Sequence, residues 1–268
     1  MDKNIVIYLL ANEYLESIKP EGVNLEKYYH SDAKDYSTLK DIYLQFISSA
    51  QNYQSMPNVI QFNKRQNKIA ELLYDFDYAR IKDLSHDLLY RSFRQTFGIT
   101  SADTKYNSWY KWSKSVIDSA KFISDFRDVG DFVRFVELFN YNVSTRMALP
   151  LLISQKISGI GFALACDLLK ELGFTDYPKP DVHLKEVFSA LGLAEKNNLS
   201  TFEAIVRMSE SCKAVDESVT PYKVDKIFWL ICSGRFYHDT TEEKLTRHKN
   251  DFIKKALKKL ELPEIENK

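Results

Sequence analysis

The chain has 268 residues, enough for one large globular unit or two compact lobes, and its 44% apolar content can fill a sizeable core. Its 37 lysines and arginines balance its 37 aspartates and glutamates, so net charge does not announce a nucleic-acid partner, and any polyanion site has to be a local patch. Three cysteines, Cys166, Cys212 and Cys232, are too few for a cubane iron–sulfur cluster and too scattered for a disulfide framework, which fits a reducing compartment.

The apolar run at the N-terminus is soon interrupted by Asn12 and Glu13 and lacks the pattern of a signal peptide. No apolar stretch approaches the ~20 residues that span a bilayer. The expectation is a soluble, cytoplasmic protein without membrane contact, acting as a monomer. Apolar spacing is helical almost throughout, and strand-like alternation is nearly absent. The breaks fall near Lys19–Val23, Met56–Pro57, Gly98–Asp103, Tyr141–Ser144, Thr175–Pro180 and Asp216–Pro221. Between them the pattern predicts roughly ten helices of ordinary length. Ile69, Leu72, Leu73 and Phe76 share one face, and Phe122 to Leu138 continue at three- and four-residue steps. Trp109 and Trp112, in the Tyr-rich segment Tyr106–Trp112, are expected mainly to pack between helices, with the wall of an aromatic pocket as their weaker alternative. A last helix, about Glu242 to Leu260, carries many lysines and reads as a solvated amphipathic face.

The most informative segment runs from Leu151 to Gly173. An apolar helix ends near Gln155, a tight turn Ile157-Ser158-Gly159-Ile160-Gly161 follows, and a second helix runs from Phe162 to a left-handed cap at Gly173. Two glycines one residue apart allow positive φ and close backbone approach. The second helix then opens with unpaired N–H groups, which together with the helix dipole suit a phosphate. Ile157 and Ile160 can plug the gap between the helices, and small Ala163 and Ala165 permit close packing. The segment reads as a helix-hairpin-helix, a sequence-independent grip on a DNA backbone.

Next comes Pro178-Lys-Pro-Asp-Val-His183. The prolines force an extended entry, and Asp181 takes the N-cap position of the following helix. A helix N-terminus lowers a carboxylate's pKa, so Asp181 is expected to be ionised. At Thr220-Pro221 a further helix begins with a capping threonine and a first-turn proline. Asp225 and Trp229 lie four residues apart on one face of it.

A glycine hairpin followed about twenty residues later by Asp-Val-His resembles the HhH-GPD superfamily of base-excision DNA glycosylases. The resemblance spans roughly Asp41 to Tyr237. It implies an all-α, two-lobed helix-hairpin-helix glycosylase fold. Residues 1–40 would pack with the C-terminal lobe, 41–177 would form a helical barrel ending in the hairpin (151–173), and 178–268 would form the C-terminal lobe. It implies that Asp181 is the catalytic aspartate, that Gly159 and Gly161 lie in the phosphate hairpin and that His183 is structural. Phe46-Ile-Ser-Ser-Ala-Gln51 is similar to the family's Ser-Ala-Gln stretch, which makes Gln51 the candidate wedge behind an extruded base. Asp225 and Trp229 are similar to the base-binding pair of archaeal 8-oxoguanine glycosylases.

The chain departs from bifunctional members at Ala163, where they carry a Schiff-base lysine. Alanine forms no imine, and neither Lys156 nor Lys170 has the spacing of a substitute. The implied activity is monofunctional hydrolysis of a damaged or modified base from double-stranded DNA, leaving an abasic site. No cofactor is needed, although hairpin carbonyls near Gly159 could hold a monovalent cation by the same resemblance. A non-enzymatic helix-hairpin-helix DNA-binding protein and a glycosylase acting on modified phage DNA are the alternatives. The base excised is not legible.

Overall fold

The computed structural model describes residues 2–30, 36–53, 55–238 and 248–260. Among them the protein is all α, with fifteen α-helices and no strand. The count exceeds the expectation because the chain inserts short helices that periodicity does not register. No helix among the described residues is long and apolar enough to cross a membrane. The chain divides into two compact units, one of Ala33–Leu172 and one combining Met1–Asp32 with Gly173–Lys268.

Helices α1 (Lys3–Ile18) and α2 (Glu26–Tyr29) belong to the second of these units. The Ala33–Leu172 unit holds α3 (Leu39–Ala50), α4 (Met56–Ile60), α5 (Phe62–Leu72), α6 (Tyr78–Ile81), α7 (His86–Thr96), α8 (Ser108–Ile123), α9 (Val129–Leu138), α10 (Val143–Lys156) and α11 (Phe162–Glu171). Its hub is α8, which packs against α3, α4, α6, α7 and α10. Its buried positions alternate large Trp109, Trp112, Val116 and Ile123 with small Ser113, Ser115, Ser119 and Ala120, so several helices approach it closely. Trp112 is fully buried and donates its indole N–H to the Ile47 carbonyl at 2.9 Å, satisfying the one polar atom that its burial would strand. Trp109 is equally buried, which agrees with packing rather than with a pocket wall.

Three local readings need correction. Met56–Pro57 ends its break rather than forming it, since proline is well suited to the first turn of α4. The stretch from Phe122 to Leu138 is two helices, because Asp128 caps α9 by accepting from the Asp131 N–H, and Leu138 is exposed. The face through Phe76 does not continue α5: Tyr74, Asp75 and Phe76 all have positive φ, a left-handed turn that apolar spacing could not signal.

The other unit adds α12 (Val182–Ala190), α13 (Asn198–Cys212), α14 (Pro221–Ser233) and α15 (Lys249–Lys259) to α1 and α2. Here α14 is the hub, in contact with α1, α2, α12, α13 and α15. It is buried nearly all round, through Val224, Ile227, Phe228, Leu230, Ile231 and Cys232. Phe228 meets Phe188 of α12 and Phe252 of α15 at ring-centroid distances of 5.0 and 5.7 Å. Thr220 caps α14 and Pro221 occupies its first turn, as the sequence indicates. In α15, Phe252, Ala256 and Leu257 are buried, Lys249 is half-buried, and Lys254, Lys255, Lys258 and Lys259 lie on the outer face; Lys244 and Arg247 lie outside the described residues.

Trp112→Ala should lower stability by about 3–5 kcal/mol, because it opens a large cavity at the hub and orphans the Ile47 carbonyl. Urea denaturation followed by far-UV circular dichroism would measure it.

Candidate functional site

The glycine hairpin forms where the sequence places it. α10 ends at Lys156, Ile157 and Ile160 are buried, and α11 starts at Phe162, with Gly161 as its N-cap. The two glycines play different parts. Gly159 has φ of +84°, a left-handed conformation, and a Cβ built on it would lie 2.8 Å from the Ser115 Oγ. Gly161 is extended (φ −84°, ψ 171°), and a Cβ there would meet nothing within 4 Å. Of the two freedoms that the glycine pair allows, Gly159 uses positive φ, whereas Gly161 keeps an open backbone. Gly161 brings no capping side chain to α11, leaves its exposed backbone uncovered, and gives the first-turn amides no internal acceptor from the cap. Ala163 is half-buried in that same first turn, and Ala165 is fully buried.

The turn is rigidly held by α8. The Ser115 hydroxyl donates to the Ser158 carbonyl at 2.5 Å, and the Asp118 carboxylate accepts from the Ser158 N–H at 3.0 Å. Both backbone polar groups of Ser158 are thus held by residues 43 and 40 positions earlier. At the far end of α11, the Glu171 carboxylate accepts from Ser49 and Gln45 of α3, each at 2.6 Å. Neither Ser115 nor Asp118 was singled out from the sequence. Their only signal is a three-residue spacing that puts both on one helix face, and such pairs are common.

Gln51 does not suit a wedge. It is only 8% exposed, and its Oε1 accepts from the Phe62 N–H at 3.1 Å. It stands in for an N-cap on α5, whose own cap residue, Gln61, is left-handed and makes no side-chain cap. Lys170 is 7% exposed and pairs with Asp167 at 3.2 Å.

In the other unit, Asp181 is the N-cap of α12, and its Oδ1 accepts from the His183 and Leu184 N–H groups at 2.8 and 3.0 Å. Burial raises its pKa above the usual carboxylate value; the Leu184 N–H lowers it, the nearby charge of Asp225 raises it further, and His183 and Lys179 lower it. The expected lowering is overturned: helix-start hydrogen bonding is present, but desolvation and a second carboxylate outweigh it. His183 Nδ1 is buried without a hydrogen-bond partner among the described residues. Cys232 of α14 lies close enough for Asp181 to act on it, and burial, with Asp181 adding to it, pushes its thiol up to about 12. This inert neighbour was not anticipated.

Asp225 is 2% exposed, and its Oδ2 accepts from the Lys179 N–H at 2.9 Å. Trp229 is half-buried, edge-on to Tyr237 at 5.9 Å, with the Lys226 ammonium 5.7 Å from its ring centre. The two residues of the expected pocket therefore differ: Trp229 presents ring surface, whereas the carboxylate of Asp225 is turned inward. Among the described residues no cluster of histidine, cysteine and carboxylate side chains could hold a metal ion.

Comparison with protein-family models, with curated proteins and with solved structures finds no match to the chain.

Gly159→Ala should cost about 1–3 kcal/mol, from left-handed strain and the clash with Ser115, whereas Gly161→Ala should stay within about 0.5 kcal/mol of the wild type. Chemical denaturation of both variants compares them directly. For Asp181→Asn the sign follows from the raised pKa. The folded state binds a proton more tightly than the unfolded chain, so the ionised aspartate penalises folding above its raised pKa and not below the ordinary value of 3.8. Asparagine caps as well as aspartate and does not titrate. The variant should therefore melt higher than the wild type at neutral pH, with the gain vanishing toward pH 3.8, in a series of thermal melts.

Proposed function

We propose that the protein is a monofunctional DNA N-glycosylase on a helix-hairpin-helix scaffold, which everts a damaged or modified base from double-stranded DNA and hydrolyses its bond to the sugar. The observation that carries the reading is the hairpin. One glycine is demanded by the turn; at the other, the N-cap of α11, a side chain would meet nothing within 4 Å among the described residues, and its open face leads onto a first turn without a side-chain cap. A glycine with open space where a side chain would stand is what close approach of an external phosphate requires. The likeness of this hairpin and of Asp181-Val-His183 to the HhH-GPD superfamily supports the same reading.

In this mechanism the everted nucleotide presents its anomeric carbon to Asp181. As the N-glycosidic bond breaks, the base leaves with the electron pair, and the sugar gains oxocarbenium character that the ionised carboxylate stabilises. Water adds to C1′ and gives its proton to Asp181. A carboxyl whose pKa burial raises is a better base for that step than an ordinary one, because general-base efficiency improves as the pKa approaches the working pH. The half-buried ring of Trp229 offers a stacking wall for the base. With Ala163 where a Schiff-base lysine would stand, the strand stays intact.

Duplexes carrying a panel of altered bases, assayed for alkali-sensitive breaks, test this. The wild type should release at least one of the bases and form no borohydride-trapped adduct. Asp181→Asn should bind the same duplex and lose at least about 10²-fold in rate. DNA binding by both forms without base release from any duplex would reduce the protein to a non-enzymatic DNA grip, and a trapped adduct would defeat the monofunctional mechanism.

A further inference from the structure

The segment that delivers Asp181 is packed through the buried Tyr177, Pro178 and Pro180, but its backbone offers few donors. Pro178 and Pro180 lack an N–H, so between Tyr177 and Asp181 the backbone has one donor, that of Lys179. That donor is taken by the Asp225 carboxylate at 2.9 Å, and the Lys179 carbonyl in turn accepts from the Asp181 N–H at 2.8 Å. Asp225 projects from α14, the hub of its unit, and is 2% exposed. We propose that Asp225 is the positioning residue for Asp181: its buried carboxylate clamps the Lys179–Asp181 backbone to the hub helix and faces the Asp181 side chain, instead of reading the everted base. The role assigned to Asp181 rests on the glycosylase reading, whereas the clamp is a property of the fold.

The carboxylate that accepts the Lys179 N–H also carries a charge into the interior, and that charge has a second use. The groups that face Asp181 supply one. From its own helix come the His183 and Leu184 N–H groups and the imidazole of His183; from the entry segment comes Lys179; from α14 come Asp225 and the thiol of Cys232. Beyond Cys232 stands Glu186, paired with Lys249 of α15. Of these, the negative charge of Asp225 acts on Asp181 to raise its proton affinity, alongside burial.

Two variants separate the clamp from the charge. Asp225→Asn keeps an oxygen for the Lys179 N–H and removes the charge; Asp225→Ala removes both. The Asp181 carboxyl should titrate at lower pH in Asp225→Asn than in the wild type, followed by its side-chain carbon resonance in the DNA-free protein. On a duplex that the wild type processes, Asp225→Ala should lose about 10²-fold in single-turnover rate, with its DNA dissociation constant within about threefold of the wild type. Asp225→Asn should recover most of that rate and move the acid limb of the pH–rate profile downward. An unmoved Asp181 titration, or DNA affinity falling as far as the rate, would overturn the assignment. If no form releases a base, the glycosylase reading fails, and the titration alone still decides whether Asp225 faces Asp181.

Discussion

Asp181 sits under two opposed demands, and much of its unit is arranged around them. Half-buried among apolar helices, its carboxyl is pushed toward the protonated form; at the start of α12, two backbone N–H groups favour the charged one. An acid left wholly to the helix start would be a weak base, and one left wholly to burial would be neutral. The compromise requires α12 to stay fixed. It is fixed by the Phe188–Phe228 contact with α14, by the Lys249–Glu186 pair with α15, and by the clamp on Lys179 just before it.

The same device appears in each unit. A hub helix, buried on most of its surface, spends a few polar side chains on the backbone of a turn. In the Ala33–Leu172 unit α8 holds both backbone polar groups of Ser158 through Ser115 and Asp118. In the other, α14 holds Lys179 through Asp225. Each turn is one whose backbone has little secondary structure of its own. Anchoring it to the most heavily packed helix gives the loop the rigidity of the core, which a preorganised site needs.

On this reading the departures from the family pattern belong together. Ala163 in place of a nucleophilic lysine leaves the chemistry to the carboxylate alone, and a carboxylate that has to accept a proton from water gains from the raised proton affinity that burial and Asp225 supply. The buried Gln51 removes the expected wedge, so the gap left by an everted base would have to be filled by another group.

What the sequence determined is local. Glycine at 159 and 161, prolines at 178 and 180, and capping residues at 181 and 220 act on their own backbone or on amides two or three residues away. The hairpin, the start of α12 and the start of α14 could therefore be read directly, as could the all-α class from three- and four-residue apolar spacing. The left-handed turn at Tyr74–Phe76 escaped, because nothing in those side chains demands positive φ. The tertiary structure alone decided which glycine is strained and which is open, that Gln51 is spent on the Phe62 N–H, and that Asp225 turns inward. It also decided the sign of the Asp181 pKa shift. Desolvation and charge–charge interaction depend on which groups distant in the chain come close in space, and no spacing along the sequence records that.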